Sequence, residues 1–256
     1  MLLVLDVGNT NVVMGVYDNQ SLVADWRLTS GRESTADEFS VMARALLSEA
    51  GIRLEELSHT IVSCVVPPMR RTLEAFCAKY LGHAPMWVDA RMDLGMPILY
   101  DNPMEVGADR LVNAVAAWKK YRCPLIVIDF GTATTFDCIS PEGAYLGGAI
   151  SPGIGISAEA LYARASKLPR VEIFEPPRRA IAKDTAESMQ AGIILGYASL
   201  VDGMTARIAG EMAPARPRVV ATGGLAPLIA KVCSSIEEVE PNLTLEGLRL
   251  IHERLG

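Results

Sequence analysis

One short plan occurs twice in this chain. Residues 1–18 read MLLVLDVGNTNVVMGVYD: an apolar run, the turn Asp6-Val7-Gly8-Asn9-Thr10-Asn11, then a second apolar run. Residues 124–139 read PLIVIDFGTATTFDCI, with Asp129-Phe130-Gly131-Thr132 at the turn. Each run is rich in β-branched residues and short enough for a buried strand. The glycine lets the backbone bend tightly and brings N–H groups close to an anion. The carboxylate two residues earlier stands where it could hold the cation that accompanies a phosphate. A single Asp-x-Gly turn has many steric explanations. Two copies, each between strands, point to a duplicated fold that grips phosphates with both halves.

Composition narrows the partners. A net charge of −6 argues against a nucleic-acid partner, which wants a basic face. An anionic ligand must then be neutralised locally, by metal ions, helix N-termini or individual arginines. Half of the 256 residues are hydrophobic, enough for a sizeable core. The five cysteines form no C-x-x-C pair and stand mostly in apolar runs, so neither a disulfide framework nor a zinc site is expected. The N-terminus lacks a basic n-region, and no run is apolar enough to span a bilayer. A cytoplasmic protein without membrane contact is the expectation.

In chain order, the first hairpin is followed by a turn at residues 18–21 and a third extended stretch from Leu22 to Leu28. Thr35 and Glu38 have capping-box spacing ahead of Phe39, Met42, Ala43, Leu46 and Leu47, an amphipathic helix over 35–50. Thr60 to Val66 reads as a strand, 68–81 as a helix and Pro85 to Val88 as a short strand. The order β-β-β-α-β-α-β is the ribonuclease-H-like pattern. In the second half, Ala144 to Ile150 is a third strand and 156–166 a helix. A long helix over 184–213 is opened by Asp184 and Glu187, Arg218 to Ala221 is a strand, and Leu243 to Leu255 is a closing amphipathic helix. Gly192, Gly196 and Gly203 leave one face of the long helix nearly bare, which suggests close helix packing. The halves are expected at 1–119 and 120–256, meeting near residues 118–123.

Residues 97–121 hold the most polar cluster. Leu111, Ala114, Val115 and Trp118 have helical spacing, so Tyr100, Asn102, Gly107, Asp109 and Arg110 fall at or just before a helix N-terminus. Charged residues in a first turn serve as caps or ion pairs as often as they serve chemistry, and the cluster alone leaves both readings open.

The Asp6–Asn11 loop, the Y-x-N-P run at Tyr100 to Pro103, Gly107-Ala108-Asp109-Arg110, DFGTATT at Asp129 to Thr135 and GGAISPG at Gly147 to Gly153 together resemble the motifs of the type III pantothenate kinases. The matches run in order from residue 6 to about 224. The resemblance implies the acetate and sugar kinase/Hsp70/actin superfamily: an α/β, duplicated ribonuclease-H-like (actin-like ATPase) fold, with mixed five-stranded sheets in two similar halves and a cleft between them. It implies ATP-dependent phosphorylation of pantothenate to 4'-phosphopantothenate, the first step of coenzyme A biosynthesis. Asp6, Val7, Gly8, Asn9, Thr10, Asn11, Val12 and Val13, with Thr132, Thr134 and Thr135, would then serve ATP and its phosphates. Tyr100, Gly107, Ala108, Asp109, Arg110 and Thr185 would line the pantothenate pocket, with Asp109 as proton acceptor. A homodimer is implied, as is a monovalent cation (K⁺ or NH4⁺) near Asp129, although the residues alone do not separate K⁺ from Mg²⁺ there. Position 184 is Asp where the family more often has Asn.

The residues support that chemistry on their own terms. Asp6 suits Mg²⁺ held through water, because Mg²⁺ keeps much of its hydration shell. The hydroxyl and amide side chains of both turns offer neutral donors to phosphate oxygens. A free aspartate with a pKa of about 3.9 is ionised at neutral pH, and the adjacent Arg110 is expected to favour that form further. Such a weak base can orient an alcohol and take its proton late in phosphoryl transfer. No P-loop run is present, and the D-F-G at 129–131 lacks protein-kinase context. The rival reading is a non-catalytic or regulatory nucleotide-binding module of the same superfamily, of the transcription accessory type, which assay alone separates.

Overall fold

Leu2–Val7 (β1) and Asn11–Asp18 (β2) form an antiparallel hairpin, and Ser21–Thr29 (β3) extends it. Asn19, at the β2–β3 turn, has φ 53°, a left-handed conformation that asparagine tolerates. Ala36–Glu49 (α1) then crosses over to His59–Cys64 (β4), which pairs parallel with β1. The capping box is complete: the Thr35 hydroxyl accepts from the Glu38 N–H, and the Glu38 carboxylate accepts from the Thr35 N–H. Pro67–Phe76 (α2) follows, and Met86–Trp87 (β5) completes a sheet of order β3-β2-β1-β4-β5.

The second half repeats this layout. Ala108–Tyr121 (α3) leads to Leu125–Phe130 (β6), Ala133–Ile139 (β7) and Tyr145–Pro152 (β8), all antiparallel neighbours. Ile154–Arg164 (α4) and Thr185–Glu211 (α5) cross to Arg218–Thr222 (β9), parallel to β6. Ala226–Ile229 (α6) and Glu238–Val239 (β10) complete a sheet of order β8-β7-β6-β9-β10, and Leu243–Leu255 (α7) ends the chain. The computed structural model describes residues 1–31 and 33–256.

Two compact units result. The first comprises Met1–Met96, Asp101–Ala116 and Leu243–Gly256; the second comprises Pro97–Tyr100 and Ala117–Asn242. In the first, alternate residues of β1 and β2 (Leu3, Leu5, Val7, Val12, Met14) pack with Phe39, Ala43 and Leu47 of α1 and Met69, Leu73 and Phe76 of α2. Phe39 and Phe76 meet edge to face with centroids 4.9 Å apart. Met42 is exposed instead of buried, because it lies off the arc of α1 that carries Phe39, Ala43 and Leu47. The other sheet face is covered by α7: Gly15 would meet Leu245 at 3.0 Å if it carried a Cβ. Gly247 lets α7 lie against the Val112 backbone of α3.

The core of the second unit sets Ile126, Ile128, Phe130 and Phe136 against Ile193, Ile194 and Val201 of α5. Truncating a buried aromatic such as Phe136 to alanine costs about 3–5 kcal/mol. The glycine stripe of α5 departs from expectation: a Cβ at Gly192, Gly196 or Gly203 would meet nothing within 4 Å. That face is not packed against any described residue. Among the described residues no helix is long and apolar enough to cross a membrane.

Candidate functional site

In each sheet an aspartate stands one residue before the end of the strand that both a hairpin partner and a parallel strand flank. Side chains alternate along a strand, so Asp6 shares a face with Leu2 and Val4, and Asp129 with Leu125 and Val127. Asp6 pairs with Ser63 of β4, and Asp129 with Thr222 of β9. Both copies therefore set a hydroxyl residue on the parallel strand directly beside the carboxylate. The Ser63 hydroxyl is fully buried and has no hydrogen-bond partner among the described residues. The Thr222 hydroxyl donates to the Glu240 carbonyl at 2.7 Å.

The first turn spans residues 8–10. The Gly8 N–H donates to the Asn11 carbonyl at 2.9 Å, and Ser30 fastens the turn from outside. The Ser30 N–H donates to the Thr10 carbonyl (2.9 Å) and its hydroxyl to the Gly8 carbonyl (2.5 Å). Three turn carbonyls are thus committed to protein donors, which removes acceptors that would repel an anion. Asn9 and Thr10 are exposed, Val7 and Val12 are buried, and Asn11 and Val13 are half-buried.

In the second turn the Gly131 N–H donates to the Ala133 carbonyl (3.0 Å) and the Gly153 N–H to the Thr132 carbonyl (3.1 Å). Gly153 cannot carry a side chain: its Cβ would collide with the Thr132 carbonyl and lie 2.6 Å from the Gly131 carbonyl oxygen. Gly223, with φ 91°, lies so close over Asp129 that a Cβ would stand 2.5 Å from Oδ1. The second turn, the GGAISPG segment and the Thr222-Gly223-Gly224 run, separate in sequence, converge on this carboxylate. Thr135 faces Asp129 across the β6–β7 pair. Thr134 points to the opposite sheet face, fully buried, its hydroxyl without a hydrogen-bond partner among the described residues.

The cluster from Asn102 to Arg110 is organised by helix termini. Asn102 caps the turn Pro103–Glu105, its Oδ1 accepting from the Met104 N–H (3.3 Å) and its Nδ2 donating to Glu105 (2.8 Å). The Gly107 carbonyl accepts from the N–H groups of Arg110 (3.1 Å) and Leu111 (3.3 Å), opening α3. Asp109 Oδ1 accepts from the Arg110 N–H at 2.8 Å, which folds the carboxylate back over Gly107. A Cβ at Gly107 would lie 2.5 Å from that oxygen. Ala108 is half-buried and Arg110 buried. Burial pushes the Asp109 pKa up, and the Arg110 N–H and guanidinium charge oppose this without reversing it. The expectation that Arg110 leaves the carboxylate more acidic is therefore corrected: loss of water outweighs the neighbouring cation.

In the second unit, Tyr100 lies against Gly147, which has φ 116° and where an added Cβ would stand 3.3 Å from the ring. Tyr145 stands beside it, with ring centroids 6.4 Å apart. Thr185 is the exposed first residue of α5. Asp184 caps that helix by accepting from the Glu187 N–H at 2.9 Å, while the Glu187 carboxylate pairs with Arg179 at 3.6 Å instead of completing a capping box. Asn and Asp are interchangeable as N-caps, so the departure at position 184 preserves this local function.

The donor sets suit the cations of nucleotide chemistry. Asp6, beside the buried Ser63 hydroxyl, suits a hydrated Mg²⁺. Asp129, under a glycine backbone that a Cβ would fill, suits a cation held by one carboxylate and nearby oxygens. Sequence reading missed Ser30, Ser63, Asp137 and Tyr145; the carboxylate of Asp137, buried in a strand, was the one signal available.

Residues 2–207 match the model of a protein family described as type III pantothenate kinase. A type III pantothenate kinase of Desulfatibacillum aliphaticivorans is 69% identical over 256 residues, covering 100% of this chain and 99% of that protein. Among solved structures, component A of (R)-2-hydroxyglutaryl-CoA dehydratase from Acidaminococcus fermentans superposes with a TM-score of 0.58. It is 16% identical and covers 98% of this chain and 95% of that one. MreB 5 of Spiroplasma citri bound to AMPPNP gives a TM-score of 0.55 at 12% identity, covering 99% and 96%. The fold is the duplicated actin-like ATPase and sugar kinase fold. With each motif of the resemblance standing at a strand end or helix start, and with identity that runs the whole length, the chain belongs to the type III pantothenate kinase family.

Proposed function

We propose that this protein transfers the γ-phosphoryl group of ATP to the primary hydroxyl of pantothenate, giving 4'-phosphopantothenate, the first step of coenzyme A biosynthesis. The observation that carries this reading is the carboxylate of Asp109, folded over Gly107 at the first turn of α3 in a chain 69% identical to a type III pantothenate kinase. Phosphoryl transfer through a loose transition state asks little covalent chemistry of a protein, and positioning and charge stabilisation dominate. Asp109 accepts the hydroxyl proton late in the transfer, and its raised pKa improves it as an acceptor.

The Asp6–Val13 hairpin and the Thr132–Thr135 segment serve the nucleotide phosphates, their glycines allowing backbone to approach closely. Asp6 holds Mg²⁺ through water and Asp129 holds K⁺ or NH4⁺; bound there, the cations neutralise phosphate charge. Tyr100, Gly107, Ala108, Arg110 and Thr185 serve the pantothenate acceptor. Arg110 is suited to the pantothenate carboxylate by its forked donors. The chain acts as a homodimer, a reading supported by the open glycine face of α5.

The test is an ATP-dependent phosphorylation assay of the purified protein with pantothenate, in K⁺ and in Na⁺ buffers. Product formation that is faster in K⁺ is the expected result. Nucleotide binding without turnover would overturn the kinase reading in favour of a regulatory module, and equal rates would remove the K⁺ assignment. A monomeric mass in sedimentation would remove the dimer.

A further inference from the structure

We infer that Asp137 is a positioning residue that sets Thr135 and Tyr100 together, taking Thr135 as a phosphate-site residue and Tyr100 as a pantothenate contact, as proposed above. Asp137 is fully buried in the middle of β7. Burying a carboxylate is costly unless donors satisfy it, and an apolar side chain would pack a sheet without that cost. Here Oδ2 accepts from the Thr135 hydroxyl at 3.0 Å and Oδ1 from the Tyr145 hydroxyl at 2.7 Å. Thr135 and Asp137 are two residues apart on one strand and therefore share a sheet face, the face that carries Asp129.

The first bond fixes the polarity of Thr135. The Thr135 hydroxyl donates to Asp137, and a hydroxyl has a single proton. With its proton given to Asp137, Thr135 presents lone pairs to the space beside Asp129. It is thereby suited to a cation, a cation-bound water or an N–H group, and not to donation toward a phosphate oxygen. This refines the sequence expectation, which treats Thr135 as a donor.

The second bond reaches the acceptor side of the same unit. Tyr145 holds the segment before Tyr100 through its backbone: its N–H donates to the Pro97 carbonyl and its carbonyl accepts from the Leu99 N–H, both at 2.8 Å. Its ring neighbours that of Tyr100, which Gly147 admits. Fixing the Tyr145 hydroxyl thus fixes the platform on which Tyr100 stands.

The experiment is steady-state kinetics with pantothenate and Mg-ATP varied separately for Tyr145→Phe, Thr135→Val and Asp137→Asn. Tyr145→Phe is expected to raise KM for pantothenate about tenfold, the loss of one buried hydrogen bond, with KM for Mg-ATP unchanged. Thr135→Val is expected to raise KM for Mg-ATP by a similar factor with KM for pantothenate unchanged, and Asp137→Asn to raise both. Should Asp137→Asn fail to fold, the separation between the two single variants decides. Parental KM values in folded variants, or single variants that do not separate, overturn the proposal. A parent protein that does not phosphorylate pantothenate overturns the kinase reading, and this proposal with it.

Discussion

Gly107→Ala is the smallest change that tests how Asp109 is held. The added methyl would lie 2.5 Å from Asp109 Oδ1, whereas ordinary contact begins at 3.4 Å, so the carboxylate must retreat by about 0.9 Å. Retreat also strains the 2.8 Å bond from the Arg110 N–H that holds the carboxylate against the helix start. Misplacing a reacting group by about 1 Å costs about 100-fold in rate, equivalent to about 2.7 kcal/mol of barrier. The fold itself should tolerate the change, because Gly107 has no positive φ and a helix N-cap loses only modest stability with alanine. The assay is kcat/KM for pantothenate at saturating Mg-ATP, with circular dichroism to verify folding. A fall of about 100-fold with unchanged nucleotide affinity is expected. A folded variant with parental kcat/KM would refute the claim that the Asp109 carboxylate must lie over Gly107.

Three further outcomes follow from the same geometry. Gly223→Ala forces alanine into φ 91° and a Cβ against Asp129, so it should cost about 1–3 kcal/mol in denaturant unfolding and weaken any K⁺ activation. Thr35→Ala removes the capping box of α1 and should cost about 1 kcal/mol, lowering Tm by about 2–4 °C, with kcat unchanged. Because burial raises the Asp109 pKa, kcat/KM should fall on acidification at a pH above the usual aspartate value of about 3.9. The sign for stability is opposite to that of a salt-bridged carboxylate. The folded state holds this proton more tightly than the unfolded state, so stability declines as pH rises from the unfolded pKa through the folded one. Asp109→Asn, which cannot ionise, should flatten this pH dependence of Tm.

The strands and both turns were legible because β-branched apolar runs broken by Asp-x-Gly carry a local signal that tertiary packing seldom overrides. The α1 capping box and the Asp184 cap were legible for the same reason: their partners lie within a few residues. Convergence was not. Gly153 and Gly223 reach the second turn only through strand pairing, and Ser30 reaches the first turn from the end of β3. Periodicity marks a core face on α7 without saying which core it meets, and it joins the first sheet, with Leu245 against Gly15. Small residues on α5 read as a packing face, yet the space beside Gly192 and Gly196 is open. The Asp109 carboxylate reads as acidified by its neighbour in sequence, but the loss of water that decides the direction exists only in the folded chain.

The proton-accepting role of Asp109 is tested most directly by turnover of pantothenate in Asp109→Asn beside nucleotide affinity measured calorimetrically on the same sample. Loss of a general base should lower kcat by about 100- to 10,000-fold while Mg-ATP binds as in the parent. A variant that binds nucleotide and turns over at the parental rate would contradict the account.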